Sequence, residues 1–302
     1  MTMSMFYRGL CDDSRASFGG DEFIFVELGE AMNLAAALRI QAITAELEAR
    51  DIAGIIDIAP ANASYMIRLD PDTLDPRIFL HTLDDLHRQY SDASTVALQT
   101  EIVEIPVWYD DPATRDIAMK FRDRHQSATE TDIEYTAKVN GLSSIHDLID
   151  AHCSAPFIVT FPCFKPGNTE CMQLVPHHRQ LQAPKYLRPR TETPARAVAH
   201  GGAFTVIYPT AGVGGYQMLG RSPVPVVDLS QTLPGFADSA VLAHVSTLIQ
   251  FRPIGGDEYH DLRAMSKSGC YHYVRCPVTF SLAEFLADQD GYPQRLRQAL
   301  TC

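Results

Sequence analysis

This chain is short of positive charge. Its 25 Lys and Arg stand against 37 Asp and Glu, giving a net charge of −12 at pH 7. That balance argues against nucleic acid and against anionic membrane surfaces as partners. No apolar run reaches the roughly 20 residues that span a bilayer. Met1 to Asp13 lack a basic-then-apolar signal pattern, so a cytoplasmic location is expected. The seven cysteines (Cys11, Cys153, Cys163, Cys171, Cys270, Cys276, Cys302) are scattered, odd in number and without a CxxC pair. This excludes a disulfide framework or a cysteine zinc site and fits a reducing compartment. No P-loop, Rossmann glycine pattern, Gly-x-Ser-x-Gly or His-Glu-x-x-His occurs, so the chain alone is expected to bind neither ATP nor metal. Internal repeats and low-complexity tracts are also missing.

What is present fits an enzyme subunit. Hydrophobic residues make up 46% of 302, enough for a substantial core in one large or two modest domains. Residues 22–28 read as a buried strand. Asn33 caps a helix to about Arg50, with Leu34, Leu38, Ile43 and Leu47 at helical spacing. Strands follow near 54–58 and 63–69, the second alternating Tyr65/Ile67/Leu69 against Met66/Arg68. A helix from Pro76 to Tyr90 lines up Phe79, Leu83 and Leu86, and a strand at 100–108 closes a β-α-β-β-α-β unit. This predicts a two-layer α+β domain over 15–110. A polar helical connector is expected over 111–155. From Pro156 to 263, short apolar runs with turn signals about every 8–12 residues predict an all-β domain. A C-terminal extension, 264–302, holds a strand-like Cys270 to Arg275 and a helix from Ser281.

The densest chemistry lies in Gly214-Gly215-Tyr216-Gln217-Met218-Leu219-Gly220-Arg221-Ser222-Pro223. Glycine permits positive φ and close approach; Arg221 offers a planar fork for a carboxylate, phosphate or bicarbonate. The same residues also read as a plain strand between glycine turns. His152, before the first strand of the β domain, suits either a proton relay or packing at a domain junction. Residues 177 to 196 hold His177, His178, Arg179, Lys185, Arg188, Arg190 and Arg196 with Glu192 as the single acid. They suit an anionic substrate, an acidic partner or a solvated loop. Ala118-Met119-Lys120 is biotin-like in composition, but its charged helical setting favours a surface lysine.

The signature resembles that of the family of allophanate hydrolase subunit 1 and the 5-oxoprolinase B subunit, which also holds a sporulation-kinase inhibitor. There two glycines precede an aromatic, Gln, two hydrophobics and Gly-Arg-Thr/Ser-Pro. Thr205 to Pro209 and Phe251-Arg252-Pro253-Ile254 with Glu258 are similar to its flanking segments. So are Phe18 to Gly29, Gly54 to Pro60, Ser64 to Pro71, Ile105 to Tyr109 and Gly141 to His152. Residues 119–131 look like an insertion relative to the family. The resemblance implies a cyclophilin-like barrel for 156–263 and a subunit of a heteromeric, ATP-dependent complex. It places ATP and a divalent cation on partner subunits, with no cofactor on this chain alone.

Two departures stand out. Phe204 replaces the family's glutamine, and Thr160 to Asn168 lose small flanking residues. An amide exchanged for a phenyl ring suits an apolar substrate. With the extra length and the acidic charge, the lost amide points away from the common amidase, and the expected function is a subunit, inactive alone, of a biotin-independent carboxylase of aromatic ketones (acetophenone carboxylase type), a ligase of aromatic catabolism. The alternatives are a subunit of an ATP-dependent amide hydrolase (5-oxoprolinase or allophanate hydrolase type) and a kinase-inhibitory binding protein. The expected catalytic residues are His152 and Arg221. Gly214, Gly215, Tyr216, Gln217, Gly220, Arg190, Phe204 and Thr205 are expected to bind substrate.

Overall fold

Local signals build the first elements of the computed structural model, which describes residues 7–31, 33–92 and 95–301. Asn33 caps α1 (Leu34–Ala49), its side-chain oxygen accepting the Ala36 amide at 2.7 Å. Asp75 caps α2 (Pro76–Gln89), with the proline at a first-turn position where its missing N–H costs nothing. The chain forms two compact units. One runs to Gln99 and takes in Thr279–Ala287; the other holds Thr100–Val278 and the residues from Asp288 on.

The first unit has a five-stranded antiparallel sheet of β1 (Arg8–Gly9), β2 (Arg15–Gly19), β3 (Phe23–Glu27), β4 (Ile55–Pro60) and β5 (Ser64–Leu69), in the order β1-β2-β3-β5-β4. Along β5, Tyr65, Ile67 and Leu69 are buried while Met66 and Arg68 are exposed, the alternation of a sheet with one covered face. Those side chains join Ile40, Ile43 and Leu47 of α1 and Phe79, Leu83 and Leu86 of α2 in one core.

β6 (Ala97–Tyr109) does not close this sheet. It enters a larger one, pairing in parallel with β14 (Leu248–Pro253) from Ile102↔Leu248 to Val107↔Pro253. Between them come α3 (Pro112–Lys120), α4 (Asp132–Val139), α5 (Ile145–Cys153), β7 (Phe157–Pro162), β8 (Thr169–Gln173), β9 (Arg190–Thr193), β10 (Ala197–Gly201), β11 (Phe204–Ile207), β12 (Gly212–Gly214) and β13 (Gln217–Arg221). After β14 follow α6 (Gly256–Lys267), β15 (Arg275–Ser281), α7 (Leu282–Ala287) and α8 (Gly291–Gln298). The sheet order is β13-β10-β11-β8-β7-β14-β6-β15, with two further residue pairs between β13 and β6; β9 and β12 form a separate ribbon.

The expected all-β cyclophilin-like barrel is thereby corrected. The sheet is mixed, draws β6 from upstream of Pro156, and shares its unit with helices. Leu148 of α5 and Ile133 and Ala137 of α4 enter the same core as Val103, Ile105, Phe157, Leu219 and Phe251. The C-terminal strand falls at 275–281 rather than 270–275, because Tyr271 and Tyr273 pack against that core instead. Cys302 lies outside the described residues.

Candidate functional site

Gln217 to Arg221 of the signature form a strand, and Gly214 and Gly220 serve close approach rather than positive φ. A Cβ on Gly214 would lie 2.6 Å from the Tyr208 hydroxyl, and one on Gly220 2.7 Å from the Tyr109 Cα and against the Trp108 carbonyl oxygen. Tyr216 and Met218 pack with Ala197, Ala199, Val206 and Tyr208, while Leu219 joins the main core on the other side.

Gly214, Gly215 and Tyr216 wall a pocket of about 300 Å³. Val206 and Tyr208 come from β11 and its exit. The β7–β8 hairpin adds Cys163, Phe164, Asn168 and Glu170, and the loop before β9 adds Lys185 and Pro189. The Tyr216 hydroxyl donates to Glu170 Oε1 at 2.5 Å, and the Lys185 ammonium sits 4.9 Å from the Tyr216 ring centroid. The Cys163 thiol accepts from Asn168 Nδ2 at 3.1 Å; burial raises its pKa, which keeps it protonated and a poor nucleophile at neutral pH. Burial also raises the Tyr208 and Tyr216 phenols, so both remain hydrogen-bond donors.

Behind this wall is a buried charge network. Asp132, at the start of α4, is 1% exposed. Its carboxylate accepts from the Met218 amide at 2.8 Å, from the Tyr186 hydroxyl at 2.5 Å and from Arg122, with Arg190 Nη1 at 3.5 Å. Arg190 is wholly buried, donates to the Tyr216 carbonyl at 2.9 Å, and lies 4.3 Å over the Tyr186 ring. Gln217, also wholly buried, faces away from the pocket: its amide donates to the Pro184 carbonyl at 2.7 Å and its oxygen meets His125 Nε2 at 2.8 Å. Arg122 and His125 come from the 119–131 segment, which therefore braces the signature. Arg190 belongs to the core, so residues 177–196 are not uniformly a solvent-facing basic run; Arg179, Lys185 and Arg188 are the exposed cations there.

His152 and Thr205 lie in a second buried chain. His200 Nε2 faces the Leu181 carbonyl at 3.0 Å and must donate to it. His200 Nδ1 then accepts from Thr205 Oγ1 at 2.9 Å, and that oxygen accepts from His152 Nε2 at 2.9 Å. His152 Nδ1 finally accepts the Tyr109 hydroxyl proton at 2.7 Å. With both imidazoles neutral, every polar atom of this chain is satisfied. Burial accordingly holds His152 well below its ordinary pKa and lowers His200 to about 4. His152 does not line the pocket, and neither does Phe204, which packs against the Tyr216–Met218 cluster.

Arg221 is separate again. Its guanidinium lies 5.0 Å over the Tyr259 ring, with Nε 3.3 Å from buried Asp111, an ion pair without hydrogen-bond alignment. The structure thus brings Gly214, Gly215 and Tyr216 to one pocket, sets Gln217 and Arg190 behind it, and places His152, Thr205 and Arg221 elsewhere. Asp132, Glu170, His125 and Tyr186 are the residues that sequence reasoning missed. Among the described residues, no group of three His, Cys, Asp or Glu is placed to hold a metal ion, and no helix is long and apolar enough to cross a membrane.

The chain is 25% identical over 249 residues to the B subunit of Bacillus subtilis 5-oxoprolinase, covering 80% of this chain and 93% of that protein. It is 24% identical over 279 residues to urea amidolyase of Saccharomyces cerevisiae, covering 88% of this chain but 15% of that protein's length. The crystal structure of Kluyveromyces lactis urea amidolyase superposes with a TM-score of 0.78 at 22% identity, over 96% of this chain and 18% of that one, which shows a shared fold. Residues 14–237, more than half of the sequence, match the carboxyltransferase domain, subdomain C and D, and the chain belongs to that family.

Proposed function

We propose that this chain is one component of an ATP-dependent enzyme that opens an amide or ureido bond, with the Gly214–Tyr216 pocket as a substrate site. The observation that carries this is the pairing of Glu170 and Lys185 around Tyr216 in the signature-walled pocket. A carboxylate-bearing amide places its anionic group toward Lys185 and its N–H toward Glu170, while Val206, Val213 and Pro189 supply apolar contact. The relatives named for 5-oxoprolinase and urea amidolyase support amide chemistry. ATP, a divalent cation and the remaining catalytic groups are assigned to partner subunits or domains. His152 and Thr205, fully hydrogen-bonded in the core, act in this reading by fixing β10, β11 and α5.

The aromatic-ketone carboxylase expectation, with its aromatic-catabolism and ligase terms, is withdrawn. It rested on extra length, acidic charge and Phe204 making the pocket apolar; Phe204 packs outside the pocket, and the relatives named for 5-oxoprolinase and urea amidolyase favour the amide reading.

The test uses the chain assembled with its native partners. ATP hydrolysis should depend on added 5-oxoproline, urea or a related amide, and should drop about ten- to hundred-fold in Glu170→Gln and Lys185→Ala, the loss of one charge-assisted contact. The isolated chain should hydrolyse no ATP. Turnover that ignores all amides, or that survives both substitutions, refutes the reading.

A further inference from the structure

Three arginines from three segments converge on the residues after β13. Arg196 Nε donates to the Ser222 carbonyl at 3.1 Å, and Arg263 Nη1 of α6 donates to the Pro223 carbonyl at 3.2 Å. Arg221 immediately precedes both and is paired in register with Ala197. All three are half-buried. Asp111 is the one acid within ion-pair distance of any of them among the described residues, and it is already engaged with Thr114 as the cap of α3. The Nη atoms of Arg196 and Arg221 make no hydrogen bond among the described residues.

Such a cluster runs against both the local electrostatics and the overall charge of −12. Burial and the neighbouring charges of Arg196 and Arg221 hold Arg263 below the ordinary arginine range. Arg196 also holds φ at +66°, a left-handed conformation in which a non-glycine residue is uncommon. Tyr259, 3% exposed and tilted against Trp108 with ring centroids 5.4 Å apart, forms a floor under Arg221. Like charges held on a stiff frame, with planar donor forks unfilled, are the arrangement that an oxyanion relieves.

We propose that Arg196, Arg221 and Arg263 form an oxyanion site, separate from the Gly214–Tyr216 pocket, that takes the phosphoryl or carboxylate group of a small molecule. The site does not depend on what the pocket binds.

The test is made on the full chain by thermal unfolding, titrating phosphate, acetate and chloride at matched ionic strength. A saturable rise in Tm with phosphate or acetate, beyond that with chloride, is expected; the stronger of the two tells a phosphoryl from a carboxylate ligand. Arg196→Gln and Arg263→Gln should each raise the half-saturating concentration about ten-fold or more, the loss of a charged hydrogen bond. Arg188→Gln, exposed and outside the cluster, should leave it unchanged. If one cluster variant fails to fold, the other decides. A response equal to that of chloride, or one undiminished in the cluster variants, overturns the proposal.

Discussion

Replacing Asp132 by Asn tests the network behind the pocket. The substitution keeps size and shape but removes a carboxylate that faces both Arg122 and Arg190. Arg190 is wholly buried and Arg122 is 8% exposed, so neither guanidinium can turn to bulk water. Stranding a buried charge in this way costs about 3–5 kcal/mol. The Asn amide also points a donor where the Tyr186 hydroxyl or the Met218 amide needs an acceptor, adding about 1–3 kcal/mol if left unsatisfied. Some relaxation will offset this, so a net loss of about 3–5 kcal/mol is expected. That is a large share of the roughly 5–15 kcal/mol by which a domain is stable. Urea unfolding followed by circular dichroism reads it directly, with Asp116→Asn, exposed on α3, as a control expected within about 0.5 kcal/mol of the parent. An Asp132→Asn protein within about 1 kcal/mol of the parent, the loss of an ordinary substitution, would refute the claim that the carboxylate neutralises the two arginines.

Two further outcomes follow from the same geometry. Gly220→Ala should lose roughly 1–3 kcal/mol, because its Cβ would meet backbone atoms of Trp108 and Tyr109, the latter at 2.7 Å, which cannot yield as a flexible side chain can; an unchanged urea midpoint would show that β13 and β6 separate freely. Stability should also fall as the pH drops below 6.5, the ordinary histidine value. The unfolded chain then protonates histidines that the fold keeps neutral, and the loss for His200 continues to about pH 4 at about 1.4 kcal/mol per unit. Urea midpoints at pH 7.5, 6 and 5 check this, and a flat series would disprove the neutral hydrogen-bond chain.

Features written in short stretches were legible in the sequence. The caps Asn33 and Asp75, the α1 and α2 faces and the β5 alternation each depend on residues within a turn or two of one another. The path of β6 was not, because its partner β14 lies far downstream and nothing in 100–108 specifies it. The basic run misled for a related reason. Arg190 and Arg188 look alike by composition, yet one points into the core and the other outward. β9 is buried at Arg190 and Thr193 and exposed at the two residues between, so no strand alternation marks Arg190 out. Asp132 carried a weaker sign: it follows Thr131 in a capping box with Glu134, which marks a helix start but not its burial.

The placement of the 119–131 segment changes what the signature means. Read alone, Gln217 and Arg221 look like ligand-binding groups in a glycine-rich loop. In the fold, Gln217 is held by His125, and the strand beneath Tyr216 and Met218 is tied to Asp132, which Arg122 in turn secures. The polar members of the signature thus divide by depth. Those facing inward fix the strand, the Gly214–Tyr216 edge faces the pocket, and Arg221 at the far end joins a separate cationic cluster. A segment that looks inserted is therefore where the pocket wall gets its rigidity. The Tyr216–Glu170 hydrogen bond in turn ties the residue that leads into this braced strand to β8.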